Sequence, residues 1–245
     1  MDITTIIGLF GVVGLIAAGI FTGAVGSIFF NGHAIFIVFG GTIIAMLINT
    51  PGQYIRETIT AMVSLLRPDP YGDPGELIPS LVRMSQEVQT NGLGALRNVD
   101  GRAAGGFLAE ASTTALEYNN ADFVRRVLET EVNNKVDRAN EVINVIRTAG
   151  VVSPMFGLIG TLLGIISVLG QISDMNKVGT AMAIAITSAF YGIMFANLVC
   201  IPVAGKLRMR LWEEIKMRAM IVEAVIGMMQ GTVPLVLERR LQAFK

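Results

Sequence analysis

The sequence predicts an all-α, polytopic membrane protein with four transmembrane helices and a cytosolic helical domain. Three observations predict this class. The chain is 52% hydrophobic and only 16% charged, with a mean hydropathy of +0.60, which is too apolar for an ordinary soluble domain of 245 residues. Its charges are absent from three gaps of 53, 26 and 28 residues, between Asp2 and Arg56, Arg147 and Asp174, and Lys177 and Lys206. Alternating strand patterns, repeats and low-complexity tracts are missing, whereas helical spacing recurs throughout.

A helix rising 1.5 Å per residue needs about 20 apolar residues to cross roughly 30 Å of hydrocarbon. The first gap therefore holds two spans and the others one each, near residues 4–22, 33–50, 148–171 and 179–204. Gly23, Gly26, Asn31 and Gly32 break the first gap into a hairpin, and the short segment from Gln171 to Val178 turns the second pair. Met1 to Thr5 lack a basic lead-in and no small-residue cleavage site follows, so the first span reads as retained.

Lysine and arginine set the orientation. Ten lie between Pro51 and Arg147, eight follow Gly205, and one sits in the last hairpin turn. The positive-inside rule places the 51–147 domain and the 206–245 tail in the cytosol, with 1–50 and 148–205 in the membrane. The compartment is a bacterial-type inner membrane.

After Thr50-Pro51-Gly52, residues Ile55, Ile59, Met62, Val63 and Leu66 mark an amphipathic helix. Asp73 as cap and Pro74 at the first position open another, ending at Asn91-Gly92, with Pro79 expected to kink it or delay its start. A third helix is expected from Gly106 to Tyr118. Asp122 is expected to cap a fourth, which runs without Pro or Gly to Gly150 and onward into the third span. If it reaches Gly170 it is about 50 residues and about 75 Å long. Glu131 and Lys135 form an i, i+4 pair on it. Lys206 to Gly231 continues the fourth span as a helix, and Thr232-Val233-Pro234 leads into a short terminal one.

Gly150, Pro154, Gly157, Thr161, Gly164 and Ser167 fall along one stripe of the third span, and Ala181, Ala185, Ser188, Ala189, Gly192 and Ala196 along one of the fourth. Small residues admit close backbone approach, so helix packing through Gly157, Gly160, Gly164 and Gly192 is the plainer account of these stripes. Pro154 with Thr161 adds a freed carbonyl and a hydroxyl on the same face, which suits a watered path. A proton path also needs a titratable group, and no span contains a carboxylate. If the stripe lines an ion route, another polypeptide must bring the acid. His33, at the mouth of the second span, reads as structural or interfacial.

Net charge near zero gives no reason to expect nucleic acid. The single cysteine, Cys200, excludes an internal disulfide, and without a His or Cys cluster no metal site or cofactor is expected. Walker A, serine-hydrolase and zinc-hydrolase patterns are missing, which points away from an enzyme.

Ser153-Pro-Met-Phe-Gly-Leu-Ile-Gly-Thr-Leu-Leu-Gly164 resembles the third-span signature of the MotA/TolQ/ExbB proton-channel family, and Ala181 to Gly192 resembles its fourth. Four spans, a domain between the second and third, and Phe36-Ile-Val-Phe-Gly-Gly-Thr42 resemble the MotA/PomA branch. The resemblance implies a flagellar stator subunit. Copies of the chain, a homopentamer, would surround two copies of a MotB-like single-span protein whose membrane Asp carries the ion, and would drive a FliG-like rotor protein. It implies that Pro154, Thr161, Ser188, Ala189 and Pro202 lie along the ion pathway. Sodium-driven relatives have a threonine where this chain has Ala189; the lost oxygen ligand favours protons, which need no oxygen cage.

Other positions depart from the family. Flagellar members place a basic residue near the cytosolic helix end and acidic ones shortly after, where this chain reads Gln89-Thr90 and Arg97-Asn98. Leu235 follows Pro234 in place of the usual arginine. The rotor-facing candidates are therefore Arg83, Glu87, Gln89, Thr90, Arg97, Asn98 and Asp100. An energiser of a non-flagellar load, such as outer-membrane transport or gliding, and a non-conducting scaffold stand as alternatives.

Overall fold

A computed structural model of the chain describes residues 30–67, 74–101 and 103–244, with isolated positions between 7 and 19. The expected first span and the Asp73 cap lie outside the described residues. Among those described there are helices and turns but no strand. The helices are α1 (Gly32–Asn49), α2 (Gly52–Ser64), α3 (Pro74–Asn91), α4 (Phe107–Glu117), α5 (Ala121–Gly170), α6 (Met175–Phe195), α7 (Ile201–Met229) and α8 (Pro234–Gln242).

The chain forms two compact units, one of residues 1–68 and 140–208, the other of residues 69–139 and 209–245. Three of the helices are long and apolar enough to cross a membrane: α1, α5, and the run from Lys177 to Met229 through α6 and α7.

In the apolar unit, two turns depart from α-helical geometry. Between α6 and α7 the segment Ala196–Cys200 is a π turn, in which the N–H of Ile201 donates to the carbonyl of Ala196, five residues back. The cause is in the sequence: Pro202 has no N–H for the carbonyl of Leu198, and widening the preceding turn accommodates that loss. The second π turn, Phe36–Gly40 within α1, runs into Gly40-Gly41, where a missing Cβ lowers the preference for the α-helix. Gly41 has a further reason to be glycine. The ring of Phe156 on α5 lies against it so closely that a Cβ there would collide with the ring. Phe39 and Phe195 meet edge to face at 5.1 Å.

The second unit has a conventional core. Ile78, Leu81, Met84 and Val88 of α3 pack with Phe107, Leu108 and Ala111 of α4, Val124 and Leu128 of α5, and Met217, Met220, Ile221 and Val225 of α7. Leu237 and Leu241 of α8 close it, both fully buried. The 3- and 4-residue steps of these side chains are the helical period read from the inside.

Several local expectations change here. Pro79 does not delay the start of α3, which begins at Pro74 and continues through it to Asn91. Gly92 then stops the helix at φ +74°, a conformation that glycine adopts without Cβ strain. The cap of α5 is Asn120 rather than Asp122. The Asn120 carboxamide oxygen accepts from the N–H of Phe123 at 3.0 Å, which places Asp122 in the first turn, where its charge meets the positive end of the helix dipole. Glu131 and Lys135 attract each other electrostatically but form no ion pair within 4 Å. Lys135 reaches Glu214 at 3.3 Å and Glu131 reaches Arg218 at 3.7 Å, both on α7, because a partner across the packed interface competes with one on the same exposed helix.

Candidate functional site: the seam between α5 and α6

The small-residue stripes of α5 and α6 face each other. A Cβ built on Gly157 would lie 2.8 Å from the Ser188 carbonyl oxygen and 3.2 Å from the Ala189 Cα. One on Gly164 would lie 2.6 Å from the Ala185 Cβ and 2.9 Å from the Ala181 oxygen, and one on Gly192 would lie 2.6 Å from the Ser153 oxygen and 3.0 Å from the Pro154 Cα. Gly160 sits directly against the Ser188 side chain, and Gly150 packs on Cys200 at the end of the π turn. Backbone therefore touches backbone over the length of the seam, the arrangement that small residues permit in a membrane.

Two hydroxyls tie the helices together. Thr161 Oγ1 donates to the Gly157 carbonyl on its own helix and the Ala185 carbonyl across the seam, each at 3.0 Å. A hydroxyl has one proton, so these two acceptors share it, and the oxygen lone pairs remain to accept from a further donor or to meet a cation. Ser153, fully buried, donates to the Gly192 carbonyl at 3.3 Å.

The sequence-derived pathway residues separate into groups on this framework. Pro154, Thr161, Ser188 and Ala189 are brought together in the seam. Pro154, Thr161 and Ala189 are half-buried, whereas Ser188 is fully buried and donates to the Ile184 carbonyl at 2.8 Å. Pro202 is exposed on α7, past the π turn and outside the seam. Gly157, Gly160, Gly164 and Gly192 are the closest points of the packing. Ser153 was not singled out by sequence; the signal for it was a hydroxyl preceding a proline in an apolar helix.

His33 is exposed at the start of α1, where the Asn31 side chain caps the helix by accepting from the N–H groups of His33 and Ala34. Among the described residues no group of three or more His, Cys, Asp or Glu side chains could hold a metal ion.

The rotor-facing candidates lie in the second unit. Arg83, Glu87, Gln89 and Thr90 are exposed on α3, and Arg97 and Asp100 are exposed beyond it; Asn98 ends the 3-10 turn Leu93–Asn98. The same unit holds a charged cluster with no sequence signature. The Arg218 guanidinium, buried on α7, bonds Glu214 at 2.9 Å, approaches Glu131 at 3.7 Å and lies 4.4 Å from the centre of the Phe107 ring. Burial raises the Glu131 pKa above the ordinary carboxylate value, helped by a hydrogen bond and like charge from Glu110 on α4; Arg218 and Lys135 oppose the shift.

Comparison with known proteins places this geometry. The MotA/TolQ/ExbB proton channel family matches residues 102–220. The chain is 29% identical to the chemotaxis protein PomA of Vibrio alginolyticus over 246 aligned residues, covering 100% of this chain and 95% of that protein. Its fold superposes on a chain of the flagellar MotAB stator complex from Bacillus subtilis with a TM-score of 0.86 and 27% identity, covering 98% of this chain and 94% of that one. It also superposes on a chain of C. jejuni MotAB with a TM-score of 0.88, at 21% identity and 100% and 96% coverage, a likeness of fold. With the signature segments of the third and fourth spans forming the seam, and relatives matched from end to end, the chain is similar to the MotA/TolQ/ExbB proton channel family over residues 102–220 and to motility proteins of the MotA/PomA kind over its whole length.

Proposed function

We propose that this chain is the ion-route and torque-generating subunit of a flagellar-type stator in the bacterial inner membrane. Five copies surround a pair of MotB-like single-span proteins, and the membrane Asp of that companion carries the ion past the α5–α6 seam. Residues 51–147 and 206–245 are cytosolic and transmit the motion to a FliG-like rotor protein. The chain carries out no enzymatic step.

The observation that carries this reading is the end-to-end likeness, in sequence and fold, to subunits of flagellar stator complexes. The chemistry of the spans supports the division of labour. Residues 148–173 and 178–205 contain no Asp, Glu, Lys or Arg, so this polypeptide contributes walls, carbonyls and the Thr161 hydroxyl but not the proton carrier. Ala189 has no side-chain oxygen to offer beside Thr161. A sodium ion stripped of water needs several oxygen ligands, whereas a proton needs one acceptor, which favours protons as the driving ion.

The exposure of Arg83, Glu87, Gln89, Thr90, Arg97 and Asp100 supports their use as the rotor-facing surface, with Asn98 beside them.

The test is to purify the chain with the product of its neighbouring gene and image the complex. A five-fold ring around two single-span chains supports the reading; a stable assembly without such a companion overturns it. Swimming that continues in sodium-free medium and stops when the proton gradient is collapsed supports protons, and the reverse pattern supports sodium.

A further inference from the structure

We propose that Ser153 is a positioning residue for the ion route, acting through Pro154. This inference rests on the reading that Pro154 lines that route. Pro154 stands inside α5 without ending it. Having no N–H, it cannot donate to the Gly150 carbonyl, and its ring crowds the turn before it. The residue preceding a proline is also disfavoured in helical conformation, so α5 is weakest at 150–154. At this place the helix is held from outside. The Ser153 hydroxyl, with no exposed surface, donates to the Gly192 carbonyl of α6 at 3.3 Å.

Gly192 lets the two backbones approach this closely, since even a Cβ there would lie 2.6 Å from the Ser153 backbone carbonyl oxygen and 3.0 Å from the Pro154 Cα. Ser153 and Pro154 thus share one seat on α6: the hydroxyl fixes the register and the missing Cβ sets the separation. The cross-helix bond anchors to α6 the turn in which the proline removed a within-helix bond. Losing it lets the 150–154 turn shift along α6, carrying Pro154 and its neighbouring carbonyl dipoles with it. Those dipoles bias the protonation of a carboxyl group on the companion, so the shift is read as a change in the pH dependence of transport as well as in its rate.

The experiment compares Ser153→Ala, Pro154→Ala and the double variant, each assembled with the single-span companion in its conducting form in proteoliposomes. Proton influx per assembled complex is measured across a pH series. The expected result for Ser153→Ala is normal complex recovery, influx reduced about five-fold, and a displaced pH midpoint. In the double variant the loss should be no greater than in Pro154→Ala alone, because the two act as one unit. Ser153→Cys, slightly larger and only a weak donor, should fall between wild type and Ser153→Ala. Wild-type influx and midpoint in Ser153→Ala, with Pro154→Ala impaired, overturns this inference while leaving the ion-route reading intact. Normal influx in Pro154→Ala overturns that reading itself. Loss of assembly in both Ser153→Ala and Ser153→Cys also overturns the inference, since the hydroxyl would then serve packing alone.

Discussion

Thr161 and Ala185 are joined across two membrane helices by a 3.0 Å hydrogen bond from a side-chain hydroxyl to a backbone carbonyl. The same hydroxyl reaches the Gly157 carbonyl at an equal distance, so its proton is shared between two carbonyls of the seam and its lone pairs are left to accept.

Replacing Thr161 by valine keeps the β-branched shape and removes the hydroxyl. Cross-helix hydrogen bonds in membranes contribute about 0.6 kcal/mol on average, so the complex should assemble with nearly normal stability. Ion flux and swimming should nevertheless fall sharply, and Thr161→Ser should retain most of both. Thermal unfolding of the purified complex, alongside a swimming assay, separates the two effects.

Gly164→Leu should fail at an earlier step. The methylene at Cβ would already overlap Ala185, and a larger group cannot be relieved by a flexible neighbour because the Ala181 and Ala185 backbones face it. Overpacking of this kind costs about 1–3 kcal/mol or more, which should appear as a loss of recoverable complex in size-exclusion chromatography. Gly179, with nothing within 4 Å of its would-be Cβ, is the control; Gly179→Ala should assemble normally.

Arg218 should tolerate replacement according to volume and charge. Arg218→Ala removes one of the two cations beside Glu214, leaving Lys135 at 3.3 Å, and opens space beside Phe107, so it should lower the melting temperature of the complex. Arg218→Met, which refills the space beside Phe107 without restoring the charge, should recover part of that loss. Differential scanning calorimetry of the full complex reads both.

The stability of the same region should depend on pH in a fixed direction. In the folded chain the Glu131 pKa is raised, so folding favours its protonated form. That contribution is present below the ordinary value of 4.5 and declines as pH rises from there through the raised value, the opposite of a salt-bridged carboxylate. Glu131→Gln mimics the protonated state. It should flatten the pH dependence of melting just above pH 4.5, and a steeper dependence in the variant would contradict the assignment.

Much of the architecture was legible because membrane and helix physics write directly into composition. A charge-free gap between Arg147 and Asp174 permits little besides a span, and the absence of Pro and Gly from Ala121 to Ala149 left nothing to stop the helix that reaches Gly170. The facing stripes of α5 and α6 were legible for the same reason, since spacing fixes which side of a helix a residue occupies. Partner choice was not. Lys135 had a carboxylate four residues back in Glu131 and another on α7 in Glu214, and only packing selected the second.

By itself, the sequence determined the helical class, the apolar segments, their order and the lack of any acid within the third and fourth spans, because these follow from local composition and helical period. The tertiary structure alone decided that Gly157 meets the Ser188 backbone, that Ser153 is seated on Gly192, that Phe156 occupies the notch at Gly41, and that Arg218 gathers two glutamates. Spacing along a chain sets the face of a helix, but the register between helices is a balance of many contacts that no single stretch of sequence contains.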